Sequence, residues 1–174
     1  ICYLPDIIKN FSFDTFCQEH LTYYSLISFK NLIDKTNFKI IDYHRNSING
    51  GSINFDLALN NSNFQPKLKK IKNLYNYEIK NNFHKLSKYK KFFKEIDKNI
   101  NKINKNIDLI SKKTTKIYGF GASTKGNVTL QLCKLNNKKI RAIYDVNKEK
   151  FGCYTPGTNI LIKDEKYMLK DKPD

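Results

Sequence analysis

The chain has 174 residues, of which 40% are apolar or aromatic, and a formal net charge of +16. That content builds one generous core or two small ones, which excludes a disordered tail. Arginine, whose planar fork reads phosphates and bases, stands only at Arg45 and Arg141, so the charge is read as a lysine-coated surface with no nucleic-acid partner.

In chain order, ICYLP at positions 1–5 reads as the tail of a buried strand, with one helical turn in the DIIKN that follows. Leu26, Phe29, Leu32 and Ile33 fall at helical spacing behind Ser25, a suitable N-cap, and predict a helix over 26–36. FKIIDYH then alternates as a strand, and Asn49-Gly50 turns the chain into a returning strand through Ile53, Phe55, Leu57 and Leu59. From Gln65 to about Lys112 the sequence is charged and glycine-free. Its apolar residues, from Phe83 through Ile110, place one narrow stripe on a long helix, read as a connecting helix rather than a dimerising coiled coil. The last section predicts a strand at Lys116–Tyr118, a glycine-rich turn, a helix from about Lys125 to Leu135 and a strand RAIYDV. This is a β-α-β unit, and such units build parallel sheets.

Cys2, Cys17, Cys133 and Cys153 form no CxxC pair, so neither a metal site nor a disulfide framework is expected, and free thiols in a reducing cytosol follow. The apolar runs fall short of the ~20 residues of a membrane helix, so a cytoplasmic protein without a membrane partner is expected. The start at Ile1 and the ending KDKPD suggest part of a longer protein.

Two stretches can carry chemistry. Cys17, Gln18, Glu19 and His20 stand side by side, and His20, with an unperturbed pKa of ~6.5, is the best general base in the chain. Glu19 is a second base or an electrostatic partner, although neighbours in an extended segment diverge. One His, one Glu and one Cys within four residues match no metal-ligand spacing. His44 and His84 have no polar company and read as surface or core filler. The second stretch is the turn Gly119-Phe-Gly121-Ala-Ser123-Thr-Lys125-Gly126. Its glycines admit close backbone approach, and the helix behind it offers a positive end to a phosphate. A merely tight strand-to-helix turn remains the alternative. Asp145 ends the following strand where an acidic residue can hold ribose hydroxyls, and Tyr154 and Thr155 either line the same edge or are solvated.

Three ordered signatures, FDTFCQEHLTYYSL, INGGSINFDLAL, and IYGFGASTKGNVTLQLCKL followed by YDVNKEKFGCYTPGTNILI, resemble the C-terminal half of the S-adenosylmethionine-dependent sugar C-methyltransferases. The resemblance implies an α/β chain in three parts. Residues 1–62 would be the end of a class I methyltransferase sheet (strand, helix, β-hairpin), 63–113 a helical linker, and 114–174 a Rossmann-like domain, cut short, for a nucleotide-sugar. It implies methylation of a carbon alpha to a ketone on a nucleotide-linked deoxysugar. S-adenosylmethionine would be held mainly upstream, leaving this fragment inactive alone. His20 and Glu19 match the family's catalytic EH pair. Cys17, Tyr23, Gly119, Gly121, Ser123, Lys125, Gly126, Asp145 and Tyr154 are the expected substrate contacts. Cys17 and Gln18 replace the family's Tyr-His, which removes a tyrosine hydroxyl from position 17. A non-catalytic nucleotide-binding module is the alternative reading.

Overall fold

The computed structural model of the chain describes residues 1–172. It forms two compact units, Ile1–Lys94 and a second from Glu95 onward. The fold is mixed α/β, with one antiparallel and one parallel sheet.

In the first unit, Pro5 sits in the first turn of helix α1 (Leu4–Lys9), where its missing N–H costs nothing. The stretch expected as a strand is reduced to two single bridges, Cys2 to Ser52 and Tyr3 to Tyr24, because the helix begins at Leu4. Helix α2 (Leu26–Ile33) starts at Ser25, whose hydroxyl accepts from the Ser28 amide while Ser28 caps the Ser25 amide in return. Strands β1 (Phe38–Asn46) and β2 (Ser52–Leu59) pair antiparallel as predicted. Their register slips between Ile40 and Asp42, so Ile41 is an extra residue and the simple alternation breaks. The slip lets Ile40 and Tyr43, three positions apart, both pack on the core, together with Phe55, the partner of Tyr43. The core joins Tyr3, Leu26, Ile33, Ile40, Ile53 and Leu74, and Leu74 comes from α3 (Leu68–Lys80).

The hairpin tip is more than a turn. Gly51 has φ +139°, and a Cβ there would lie 2.2 Å from Cβ of Asp6; only glycine fits against α1. The Tyr3 amide donates to the Gly51 carbonyl, and the Asn10 side chain to that of Gly50. The tip thereby clamps the chain on either side of α1.

The single long helix expected from 65 to 112 is instead two, α3 and α4 (Leu86–Ser111). Asn82 adopts φ +61°, its amide bonds to Ile79 O, and the Phe83 amide reaches back to Glu78 O. This pair of bonds ends a helix in the manner usually left to glycine, and asparagine is the common substitute. Phe83 belongs to the break, where it is buried, and not to the stripe of α4. Lys134 at φ +53° ends α5 (Thr124–Leu132) in the same way, with the amide of buried Leu135 bonded to Leu130 O, so that helix stops short of the expected 135.

In the second unit the strands β3 (Gly119–Phe120), β4 (Ile143–Asp145) and β5 (Ile162–Asp164) run parallel in that order, with α5 between β3 and β4. The predicted β-α-β unit is present, but β3 lies one step beyond Lys116–Tyr118. Gly119 is therefore a strand residue: a Cβ there would meet the Ile143 side chain at 2.9 Å, so glycine permits the close pairing. Ala122, Cys133, Leu135, Ile140, Ile143, Ile160 and Ile162 form the core, with Ile100, Ile103 and Ile107 of α4 packed on it. A short helix α6 (Met168–Asp171) follows β5. No helix among the described residues is long and apolar enough to cross a membrane.

Candidate functional site

The segment Phe13–Tyr24 has almost no regular structure, yet it is tied at several points. The Tyr23 hydroxyl donates to Thr15 O at 2.8 Å, and the Tyr23 ring packs on Phe16 with centroids 4.6 Å apart. Burial pushes the Tyr23 hydroxyl pKa up. The Leu4 amide donates to Tyr24 O, and the Tyr24 amide to Cys2 O. The His20 amide closes a turn on Cys17 O, and its ring stands edge-on to Tyr23 at 6.2 Å. The side chains of Glu19, which is exposed, and His20, which is half-buried, make no hydrogen bond among the described residues. Cys17 is half-buried and unpaired. Beside this segment runs a groove of about 360 Å³ walled by Phe16, Tyr23, Tyr24, Tyr89, Phe92 and Phe93. Tyr23 is thus both a wall and a latch.

The glycine turn is built differently. Ser123 is the N-cap of α5, its hydroxyl accepting from the Gly126 amide at 3.0 Å. Asp145, buried, accepts the Ala122 amide on one oxygen and the Asn147 amide on the other, both at 2.7 Å. Lys150 donates to Ala122 O at 2.9 Å and stands 3.6 Å from the Asp145 carboxylate. The Asn147 amide first, then that of Ala122 and the Lys150 charge, hold the Asp145 carboxyl below its ordinary range despite burial. Each oxygen of Asp145 already serves a loop amide, so in this arrangement the residue ties the turn to β4. The amides of Thr124 and Lys125 find no acceptor among the described residues, and Gly121 (φ +82°) faces open space. Tyr154 is exposed and bridges Leu161. Thr155 is neither solvated nor open to a ligand: it is buried, 2.7 Å from the Thr158 hydroxyl, and accepts the Ile160 amide.

Two groups escaped the sequence reading. His44 does have polar company, since the hairpin register sets its Nε2 at 3.4 Å from both Asp42 and Asp56. These three groups lie within 4.8 Å of one another. Lys67 and Lys70 already stand 2.6 Å from Asp42 and supply the positive charge there. They hold its carboxyl well below the usual carboxylate range. The second is Glu78 of α3, fully buried, which accepts the Tyr3 hydroxyl and the Leu26 amide on one oxygen, each at 2.7 Å, and the Ile27 amide on the other at 2.9 Å. Its signal was present: Ile71, Leu74 and Glu78 fall on one helical face, placing a carboxylate where the stripe calls for an apolar residue.

The described residues thus hold a histidine segment tied by its backbone in the first unit and a parallel β-α-β unit in the second. The chain matches the C-methyltransferase C-terminal domain over residues 47–174 and belongs to that family. It is also 26% identical over 172 residues to the C-methyltransferase NovU of Streptomyces niveus, a match covering 99% of this chain and 41% of that protein. The chain therefore spans about two fifths of the length of this curated relative.

Proposed function

We propose that the chain is the acceptor-side part of an S-adenosylmethionine-dependent C-methyltransferase acting on a carbon alpha to a ketone of a nucleotide-linked deoxysugar. The observation that carries this reading is the segment around His20: its backbone is tied to its surroundings at several points while the Glu19 and His20 side chains stay uncommitted. The family match over residues 47–174 and the relative's name support the reaction class. Residues 1–62 would then be the end of a class I methyltransferase sheet, and the parallel unit a Rossmann-like domain for the nucleotide-sugar.

The donor would supply an electrophilic methyl group. Gly50 and Gly51, the glycine pair of the first unit, lie against Ser12 and Asp6. On the family resemblance, donor binding is assigned to sequence upstream, and the work of this chain is on the acceptor. A ketone acidifies the adjacent C–H bond; neutral His20 takes that proton, and the C–H electrons become the enolate. Glu19 supports the imidazolium so formed. The aromatic groove excludes water from the enolate, which would otherwise be reprotonated. In the second unit, Lys125 and the open amides of Thr124 and Lys125 receive the diphosphate, while Ser123, Gly126 and Asp145 keep the turn in shape and Tyr154 flanks it.

The test is to join the chain to its upstream reading frame and supply S-adenosylmethionine with a nucleotide-linked keto-deoxysugar. A new carbon-bound methyl group is expected in the product. A methyl ether, or no transfer, rejects the reading. The rival, a nucleotide-binding module without catalysis, predicts diphosphate binding with no transfer at all.

A further inference from the structure

Glu78 is the only acidic residue between Asp56 and Glu95, a stretch otherwise coated with lysine. A solvated helix would place it outside, among the lysines. Instead it is fully buried and makes three hydrogen bonds to residues more than fifty positions away. Burying a carboxylate is costly unless its lone pairs are satisfied, so its location needs a reason.

Its partners supply one. The first amides of a helix have no acceptor within the helix. In α2 the Leu26 and Ile27 amides are taken by Glu78, and the third, Ser28, by Ser25. A carboxylate at that end is also favoured by the helix dipole. The third bond fixes the Tyr3 hydroxyl, and the Tyr3 ring is covered by Arg45, whose guanidinium lies 5.0 Å from its centroid and pairs with Asp6. Tyr3 and Leu26 flank Tyr24: the first bridges it directly, the second follows it by two residues. Tyr24 closes the histidine segment, four residues after His20, and adjacent Tyr23 carries both the latch to Thr15 and the edge contact to His20.

We infer that Glu78 is a positioning residue for His20, acting from α3 through Tyr3 and the α2 N-terminus to set the end of the histidine segment. The inference deepens the proposed function and rests on His20 being the base, but its structural part can be tested without catalysis.

The chain contains three histidines, His20, His44 and His84, so the ring resonances of labelled histidine can be assigned by single substitutions. Glu78→Gln preserves size but turns an NH₂ toward one of its amide donors. In the folded variant the His20 signals should shift or broaden, with loss of the ring-current contribution of Tyr23, while those of His44 and His84 stay in place. Unmoved His20 signals in a folded Glu78→Gln chain overturn the inference. If that variant does not fold, Tyr3→Phe, which removes only the hydroxyl arm, decides on the same signal: a smaller displacement of His20 supports the inference, and none overturns it. In the upstream-extended enzyme, Glu78→Gln should lower kcat by roughly 10- to 100-fold with KM little changed, the signature of a misplaced reacting group. An enzyme inactive even as wild type counts against the methyltransferase reading and leaves the resonance test to judge Glu78 separately.

Discussion

The histidine segment at residues 13–24 and the glycine turn at residues 121–126 are both short, irregular and polar, yet they use their polar groups in opposite ways. In the first, the side chains of Glu19 and His20 make no hydrogen bond among the described residues; the segment is tied by Tyr23 and by the backbone of Tyr24, and Glu78 holds the start of α2 that follows it. In the second, the polar side chains are the framework. Ser123 caps the helix, Asp145 bonds two loop amides, and Lys150 closes over Ala122. The difference separates two kinds of work. A proton acceptor must be a side chain whose lone pair is available, whereas an anion can be met by backbone amides and one ammonium group, which are what the turn leaves open.

The largest effect should come from the segment whose side chains are uncommitted. His20→Asn in the upstream-extended enzyme is expected to lower turnover by at least ~100-fold, the low end for a lost general base, while leaving the unfolding midpoint of the chain within about 0.5 kcal/mol of wild type. Near-normal turnover would erase the contrast by making His20 another framework group. The opposite pattern is expected for Asp145→Ala. It strands the buried Ala122 amide, at about 1–3 kcal/mol when left unmet, and frees that of exposed Asn147; the loss should be read in a denaturant titration. The pH dependence follows in sign. Because the folded carboxyl is held below its ordinary value, its stabilisation is present above the unfolded pKa of ~3.9 and is lost as pH falls through the folded value. Asp145→Asn should flatten that acid-side loss, and an unchanged acid profile would show that the two amide bonds do not hold the turn.

The same contrast explains what was legible in the sequence. The β-hairpin, α2 with its Ser25 cap and the β-α-β order could be read because each is local: an Asn-Gly turn, a helical stripe, a glycine between a strand and a helix. The ends of α3 and α5 could not, because Asn82 and Lys134 take the left-handed conformation without the glycine that usually announces it. Nor could the bond from the Ala122 amide to Asp145, 23 residues apart, or the burial of Thr155 against the Ile160 amide and the Thr158 hydroxyl. His20 and Glu19 stand out in the sequence by residue type alone, and in the fold their side chains take no structural duty among the described residues. Glu78 was overlooked for the converse reason, since its partners Tyr3, Leu26 and Ile27 lie more than fifty residues upstream.

The smallest expected effect sharpens the comparison most, because it asks whether any side chain of the turn does more than hold it. Ser123→Ala removes the cap on the Gly126 amide and should cost about 1 kcal/mol of stability, the usual value for a lost N-cap. If the hydroxyl only caps, a nucleoside diphosphate titrated into the chain will bind the folded variant as tightly as wild type, and the added stability at a given ligand excess will be the same for both. Lys125→Ala should do the reverse, weakening the diphosphate while leaving the ligand-free midpoint within about 0.5 kcal/mol, since its side chain caps nothing. Should Ser123→Ala weaken the ligand as much as Lys125→Ala does, the turn would hold phosphate with the same hydroxyl that caps its helix, and the division between framework and contact would fail there.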